Sequence, residues 1–284
     1  MSDNFEIKAQ DRTDFSAARF KSFFNAMLAF LRGQRNEMLS FNDVKEKLRI
    51  GGPIYRGLKT VEMKKIVGSV NRYRDFDRAF LPTQSVTAER WQKINRAFYN
   101  EVGLPPILLY QVGDVYFVVD GNHRVSVARE KGQEYIEAEV RECSVRVEVR
   151  PDLQPEELEI LGEKVMFLER TGLDRLRPDS NIELTILGGY ERMLEHIAVH
   201  KYYMGLDWQR DIGDEEAVSH WHDTVYRPLI EAINSMGMME SFPRQTTSDL
   251  YLWVIDHQHY LRESQPEVTP EEAAGDFAAK HGQS

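Results

Sequence analysis

Asp120-Gly121-Asn122-His123-Arg124 places a carboxylate, an amide, an imidazole and a guanidinium around one glycine. Ahead of it run Val115-Tyr116-Phe117-Val118-Val119, β-branched or aromatic residues that suit a buried strand. Behind it the pattern predicts a helix to about Lys131, stopped by Gly132. A strand, a glycine turn and a helix start can hold anions. The first helical turn leaves N–H groups unpaired and carries about half a positive charge. Gly121 can take backbone angles closed to other residues and so let a ligand approach the main chain. Asn122 stands where an N-cap would, and Arg124 adds a fork of donors matched to phosphate oxygens. Residues 121–124 therefore read as a phosphate-binding turn. The plainer alternative is a strand–turn–helix corner with a surface arginine and a half-buried His123 bonded to backbone.

Two further groups of residues could do chemistry. Asn71-Arg72-Tyr73-Arg74-Asp75-Phe76-Asp77-Arg78 mixes three arginines with two aspartates and two aromatics. Arg72 and Arg74 are the candidates to reach phosphates, and internal Arg–Asp pairing is the alternative. Six of the eight histidines, His196, His200, His220, His222, His257 and His259, lie in 151–262. His196 and His200 are four apart, on one helical face, a workable metal-ligand spacing. Histidines on aromatic-rich helices more often pack and hydrogen-bond, so no metal site is assigned; a metal-dependent hydrolase is the weakest reading. The single cysteine, Cys143, excludes an internal disulfide framework and a cysteine-based zinc cluster.

The elements that must position these residues follow from pattern. Residues 1–13 are polar and expected to be loose. Phe20, Phe23, Phe24, Met27, Leu28 and Leu31 recur at helical spacing in a helix from Asp14 or Ser16 to about Gly33, expected to pack or to make a homodimer. A short helix from Ser40 ends at Gly51-Gly52-Pro53, a candidate boundary. Then come a strand at 58–61, a helical turn at 63–67, a helix from Thr87 to about Glu101 with Trp91, Ile94, Phe98 and Val102 on one face, strand 107–112, a Gly113-Asp114 turn into 115–119, and a long strand 135–149. Beyond Pro151 the chain reads as helical: Pro155 to Gly172, Tyr190 to Met204, Asp214 to Met236, and a last helix capped by Thr247 or Ser248, with a short strand at 182–187. The division expected is a helical arm at 1–52, a mixed α/β domain at 53–150, a mainly helical domain at 151–262 and a flexible tail at 263–284.

Composition bounds the class. The 284 residues are 42% apolar and 29% charged, as in globular proteins. No apolar run or leader pattern is present, so a cytoplasmic protein away from membranes is expected. Net charge is −10, unevenly spread: 53–100 holds ten Lys/Arg against four Asp/Glu, whereas 151–284 holds eleven against twenty-six. The acidic half argues against coating DNA, and the basic stretch beside the glycine turn suits a polyanionic small ligand.

Asp120-Gly121-Asn122-His123-Arg124, with Ala128 four residues on and Ile136-Glu137-Ala138-Glu139-Val140 after the helix, resembles the phosphate motif of the ParB/sulfiredoxin superfamily. The likeness covers about residues 53–150. Phe242-Pro243-Arg244 through Trp253 resembles a bacterial C-terminal domain of unknown function, which brings no activity with it. The resemblance implies a nucleotide ligand (ATP, ADP or CTP), with Mg²⁺, bound by Gly121, Asn122, His123 and Arg124. Sulfinic-acid reduction is excluded, because Asn122 stands where sulfiredoxins carry their cysteine. The second phosphate box of partition-type nucleotide switches has no match after Val140, which argues against a DNA clamp. The serine-kinase relatives carry Asp-Gly-x-His-Arg, matched by Asp120, Gly121, His123 and Arg124. By that likeness His123 positions the transferred group, while Asp120 binds Mg²⁺ or caps the turn; Glu62 is a candidate base. Two readings stay open: an NTPase or small-molecule phosphotransferase, or a non-catalytic regulatory or DNA-associated protein that senses nucleotide and binds a protein partner.

Overall fold

The computed structural model describes residues 2–31, 36–100 and 103–281. They form a mixed α/β protein that divides into two units, 1–158 and 159–284. No described helix is long and apolar enough to cross a membrane.

Unit 1 runs α1 (Ser2–Leu31), β1 (Leu39–Ser40), α2 (Phe41–Lys47), β2 (Pro53–Glu62), β3 (Ile66–Ser69), α3 (Ala88–Tyr99), β4 (Ile107–Val112), β5 (Val115–Asp120), α4 (Asn122–Glu130) and β6 (Tyr135–Cys143). The six strands make one sheet in the order β1-β3-β5-β4-β6-β2. β1–β3, β3–β5 and β4–β6 are parallel; β4–β5 and β2–β6 are antiparallel. Alternation along β5 supplies both faces. Phe117 packs against Phe41 of α2 at 5.5 Å between ring centres, while Val118 belongs to the core shared with Val125 and Ala128 of α4. Gly68 is where β3 squeezes between its neighbours. A Cβ there would lie 2.3 Å from the Leu39 carbonyl oxygen and 2.6 Å from the Phe117 ring.

Four expectations change in this unit. The boundary at 52/53 falls inside it, because β1 pairs with Gly68 and Ser69 and so weaves the expected arm into the sheet. β3 replaces part of the expected helical turn, of which only Met63–Lys65 remains. β6 stops at Cys143 because both partners run out there, at Val112 and Pro53. Finally, the backbone is already helical from Ser2. The phenylalanine stripe faces outward: Phe20 and Phe23 are 68% and 69% exposed, and Phe24 and Met27 are exposed too. The buried face is Asp11, Phe15, Ala18 and Ser22, which has the same helical period. Polar bonds select it. Asn95 donates to Asp11 and Asp14 at 3.0 and 3.1 Å, and Arg96 donates to Asp11 at 3.0 Å. Burial pushes the Asp14 carboxyl up, but hydrogen bonds from Lys131, Asn95, Tyr99 and Gln10 outweigh it and hold the pKa at about 2. The expected helix end at Gly33 and the residue Val102 lie outside the described residues.

Unit 2 is helical: α5 (Glu157–Thr171, beginning at the boundary), α6 (Leu173–Leu176), α7 (Gly189–Trp208), α8 (Asp214–Trp221), α9 (Arg227–Ser235), α10 (Thr247–Arg262) and α11 (Pro270–His281). The expected helix 214–236 is continuous but widens into a π-turn at His222–Tyr226, just ahead of Pro228, whose missing N–H the wider turn accommodates. Thr246 caps α10 through a capping box with Asp249. No strand forms at 182–187. The Thr185 N–H donates to the Asp249 carboxylate at 3.0 Å, so a side chain takes the bond a neighbouring strand would. The expected flexible tail contains α11, with Ala273, Ala274 and Phe277 buried and Phe277 against Phe242, Trp253 and His257.

Candidate functional site

The β4–β5 hairpin, turning at Gly113, delivers the motif to the end of β5. The chain then reverses at Gly121, φ 109°, a left-handed conformation that strains any residue with a Cβ. Such a Cβ would sit 2.4 Å from Ile107 Cγ2 and 3.2 Å from Arg124 Nε. The glycine therefore makes room for Ile107 and the arginine. Gly121, not Asn122, occupies the cap position, and no side chain caps the helix. Asn122 is the first helical residue. The α4 N-terminus thus keeps its unpaired N–H groups and partial positive charge.

Arg124 is committed inside the protein. Its Nη1 donates to the Pro105 carbonyl and, at 2.9 Å, to that of Pro106; its Nη2 donates to Asp120 Oδ2 at 2.5 Å. The guanidinium bridges the loop before β4 to the end of β5. Asp120, expected to act in catalysis, is the carboxylate in that ion pair.

Asn122 and His123 are buried, and Asn122 Oδ1 and His123 Nδ1 have no hydrogen-bond partner. Buried polar atoms are nearly always paired, so two orphans in consecutive residues are unusual. The His123 ring stands edge-on to Phe76, centres 5.2 Å apart, and makes no backbone hydrogen bond through Nδ1. Burial, reinforced by the nearby charges of Arg90 and Arg72, lowers its pKa from 6.5 to about 4, so the ring is neutral at pH 7.

These groups line a cavity of about 220 Å³ together with Asn71, Arg72, Arg90 and Ile94. Arg72 is there as expected, paired with Asp75 at 2.8 Å. Arg74 does not line it; its guanidinium lies 5.5 Å from the Tyr73 ring centre. Arg78, the third arginine of that loop, is spent on structure, donating to the Leu153 carbonyl at 2.6 Å. Glu62 does not line the cavity either; at the end of β2 it pairs with Lys64 at 2.7 Å. Arg90 was missed. Its signal was the helical register: Trp91 and Asn95 bury one face of α3, which sets Arg90 and Ile94 together on the adjoining face. On the other side of Arg124 lies a second cavity of about 380 Å³, lined by Ile94, Phe98, Pro105, Tyr135 and Ile136 among others. An arginine-lined recess thus adjoins one of mixed lining, where Gln133 and Glu137 join the apolar side chains, with Ile94 and Arg124 lining both.

The histidines of unit 2 do not converge. His196 Nδ1 lies 3.2 Å from the Tyr251 hydroxyl, His200 Nε2 2.8 Å from His220 Nδ1, and His257 Nε2 2.6 Å from Asp276. His222 sits between Ser180 at 2.9 Å and Asp223 at 3.0 Å, and His259 is exposed. Among the described residues no group of three His, Cys, Asp or Glu side chains could hold a metal ion. Cys143 is buried, and burial pushes its thiol pKa up, away from reactivity. Compared with known proteins, this chain matches no family model, no curated protein and no solved structure.

Proposed function

We propose that unit 1 binds the phosphate groups of a nucleotide in the cavity at the start of α4, as the likeness to the ParB/sulfiredoxin superfamily leads one to expect. One observation carries the reading: the uncapped N-terminus of α4 and three arginines line a single recess together with Asn122 and His123, two buried residues that each hold an unpartnered polar atom. The adjoining cavity, with Phe98, Tyr135 and Ile136 beside Gln133 and Glu137, supports a ligand with an aromatic body that also carries polar groups.

Sensing is favoured over turnover. Phosphoryl transfer needs a group that accepts or orients the nucleophile's proton. Asp120, the carboxylate lining the recess, and Asp75, the partner of its Arg72, are both engaged by arginines, and His123, with a pKa near 4, is a weak base at pH 7. The protein is thus a nucleotide-responsive regulator whose helical unit carries the response to a partner. The test is thermal melting with ATP, ADP and CTP, each with and without Mg²⁺, alongside hydrolysis assays. A melting rise without product is expected, by the linkage between ligand binding and stability. Turnover of any of them would restore the phosphotransferase or NTPase reading; the absence of any shift would remove the nucleotide.

A further inference from the structure

The anion recess contains its own counter-ions. Of its three arginines, Arg72 pairs with Asp75 and Arg124 with Asp120, while Arg90 makes no ion pair among the described residues. The two carboxylates differ in hydration: Asp75 is 23% exposed and Asp120 65%. Arg124 is itself only 12% exposed. It is gripped from behind by the Pro105 and Pro106 carbonyls, and from the front by a carboxylate standing mostly in water. The water around such an exposed carboxylate screens its contact with the guanidinium. The front contact can therefore be given up cheaply while the guanidinium stays in place.

We infer that Asp120 is an exchangeable counter-ion of Arg124, displaced when a terminal phosphoryl group takes the Nη2 edge, and that the cost of this exchange sets a threshold that a dianion meets and a monoanion does not. The inference rests on the anion-binding reading above. A phosphate monoester carries about −1.5 to −2 charges at pH 7 and three acceptor oxygens. It can meet Arg124, Arg90 and the α4 N–H groups at once. A carboxylate or a phosphodiester brings Arg124 no more charge than Asp120 already supplies, and so gains little by exchange. Asp120, leaving, turns into the solvent it already faces. The Asn122 amide serves the incoming oxygens by turning its NH₂ toward them, since its oxygen now has no partner to lose. Asp120 is then a specificity-setting residue rather than a catalytic one.

The test is calorimetric titration of the full chain with pyrophosphate, and with acetate as the monoanion, using wild type, Asp120→Asn, Asp120→Ser, Asp120→Glu and Arg90→Ala. Melting of each unliganded variant is measured in parallel. Asp120→Asn should tighten pyrophosphate by about two- to five-fold, the range an exposed ion pair allows. Asp120→Ser should do the same should the amide unfold the turn, and Asp120→Glu should return the wild-type constant. Acetate affinity should also rise in Asp120→Asn, by no larger a factor than pyrophosphate affinity, because both ligands displace the same carboxylate in wild type. Unchanged or weaker pyrophosphate binding in folded Asp120→Asn and Asp120→Ser overturns the exchange. If Arg90→Ala loses binding at the same time, the anion site itself still stands. Failure of every variant and of wild type to bind pyrophosphate removes both.

Discussion

Two polar clusters in this molecule look alike in sequence and differ in how completely they are satisfied. In unit 2, His196, Tyr251 and Trp221 form a chain in which the Tyr251 hydroxyl meets both the indole N–H, at 3.1 Å, and the imidazole. His222 has a partner on each ring nitrogen. At the head of α4 in unit 1, consecutive buried residues leave an amide oxygen and a ring nitrogen unmatched beside an open recess. A closed network contributes rigidity, whereas an incomplete one leaves energy to be recovered by something that enters. In the histidine-rich half, richer in chemically suggestive side chains, those of these networks are thus satisfied by one another.

The comparison can be broken at its strongest point by Trp221→Ala. This fully buried indole touches Tyr226 and Tyr251. Its loss should cost about 3–5 kcal/mol, read as a lower urea midpoint for unit 2, with pyrophosphate binding by unit 1 unchanged. A loss of binding would mean the two clusters are coupled.

A smaller effect is expected from pH at His123. Its folded pKa, about 4, lies below the ordinary 6.5. The native state prefers the neutral ring, so this stabilisation is full above pH 6.5 and drains away as pH falls toward 4. It amounts to about 3 kcal/mol at most. Denaturant titrations across that window should show the decline in wild type and a flatter acid limb in His123→Gln. Identical limbs would show that the ring is hydrated.

The smallest change in stability and the sharpest in function should come together in Arg90→Ala. Stability should shift by less than about 0.5 kcal/mol, as for surface positions, while the nucleotide-dependent rise in melting temperature disappears. A retained rise would place the ligand elsewhere.

What the sequence made legible was local. The hairpin 107–120, the glycine turn and the helix behind it each declare themselves within a few residues, through alternation, a turn dipeptide and a helical period. β3 was hidden because its four residues include Gly68, which reads as a break until its neighbours β1 and β5 are known. The outward phenylalanines on α1 do not pack within the chain, because hydrophobic period cannot distinguish two faces when one of them is fastened by Asp11 and Asp14. Arg124 was identified for its fork, but which oxygens fill the fork depends on Pro105 and Pro106, nineteen and eighteen residues upstream. The segment 182–187 looked like a strand because burial does alternate at Ile182 and Leu184, yet Asp249, far along the chain, claims the Thr185 amide.

The crowding at Gly68 reaches beyond folding into what variation this gene can tolerate. With a carbonyl oxygen at 2.3 Å and an aromatic ring at 2.6 Å, even the smallest side chain would wedge β1 and β5 away from β3. Gly52 and Gly103 face open space and carry no such restriction. In a library of random missense changes, codon 68 should come back as glycine alone, while codons 52 and 103 drift freely, an imprint of strand spacing left in the genetic record.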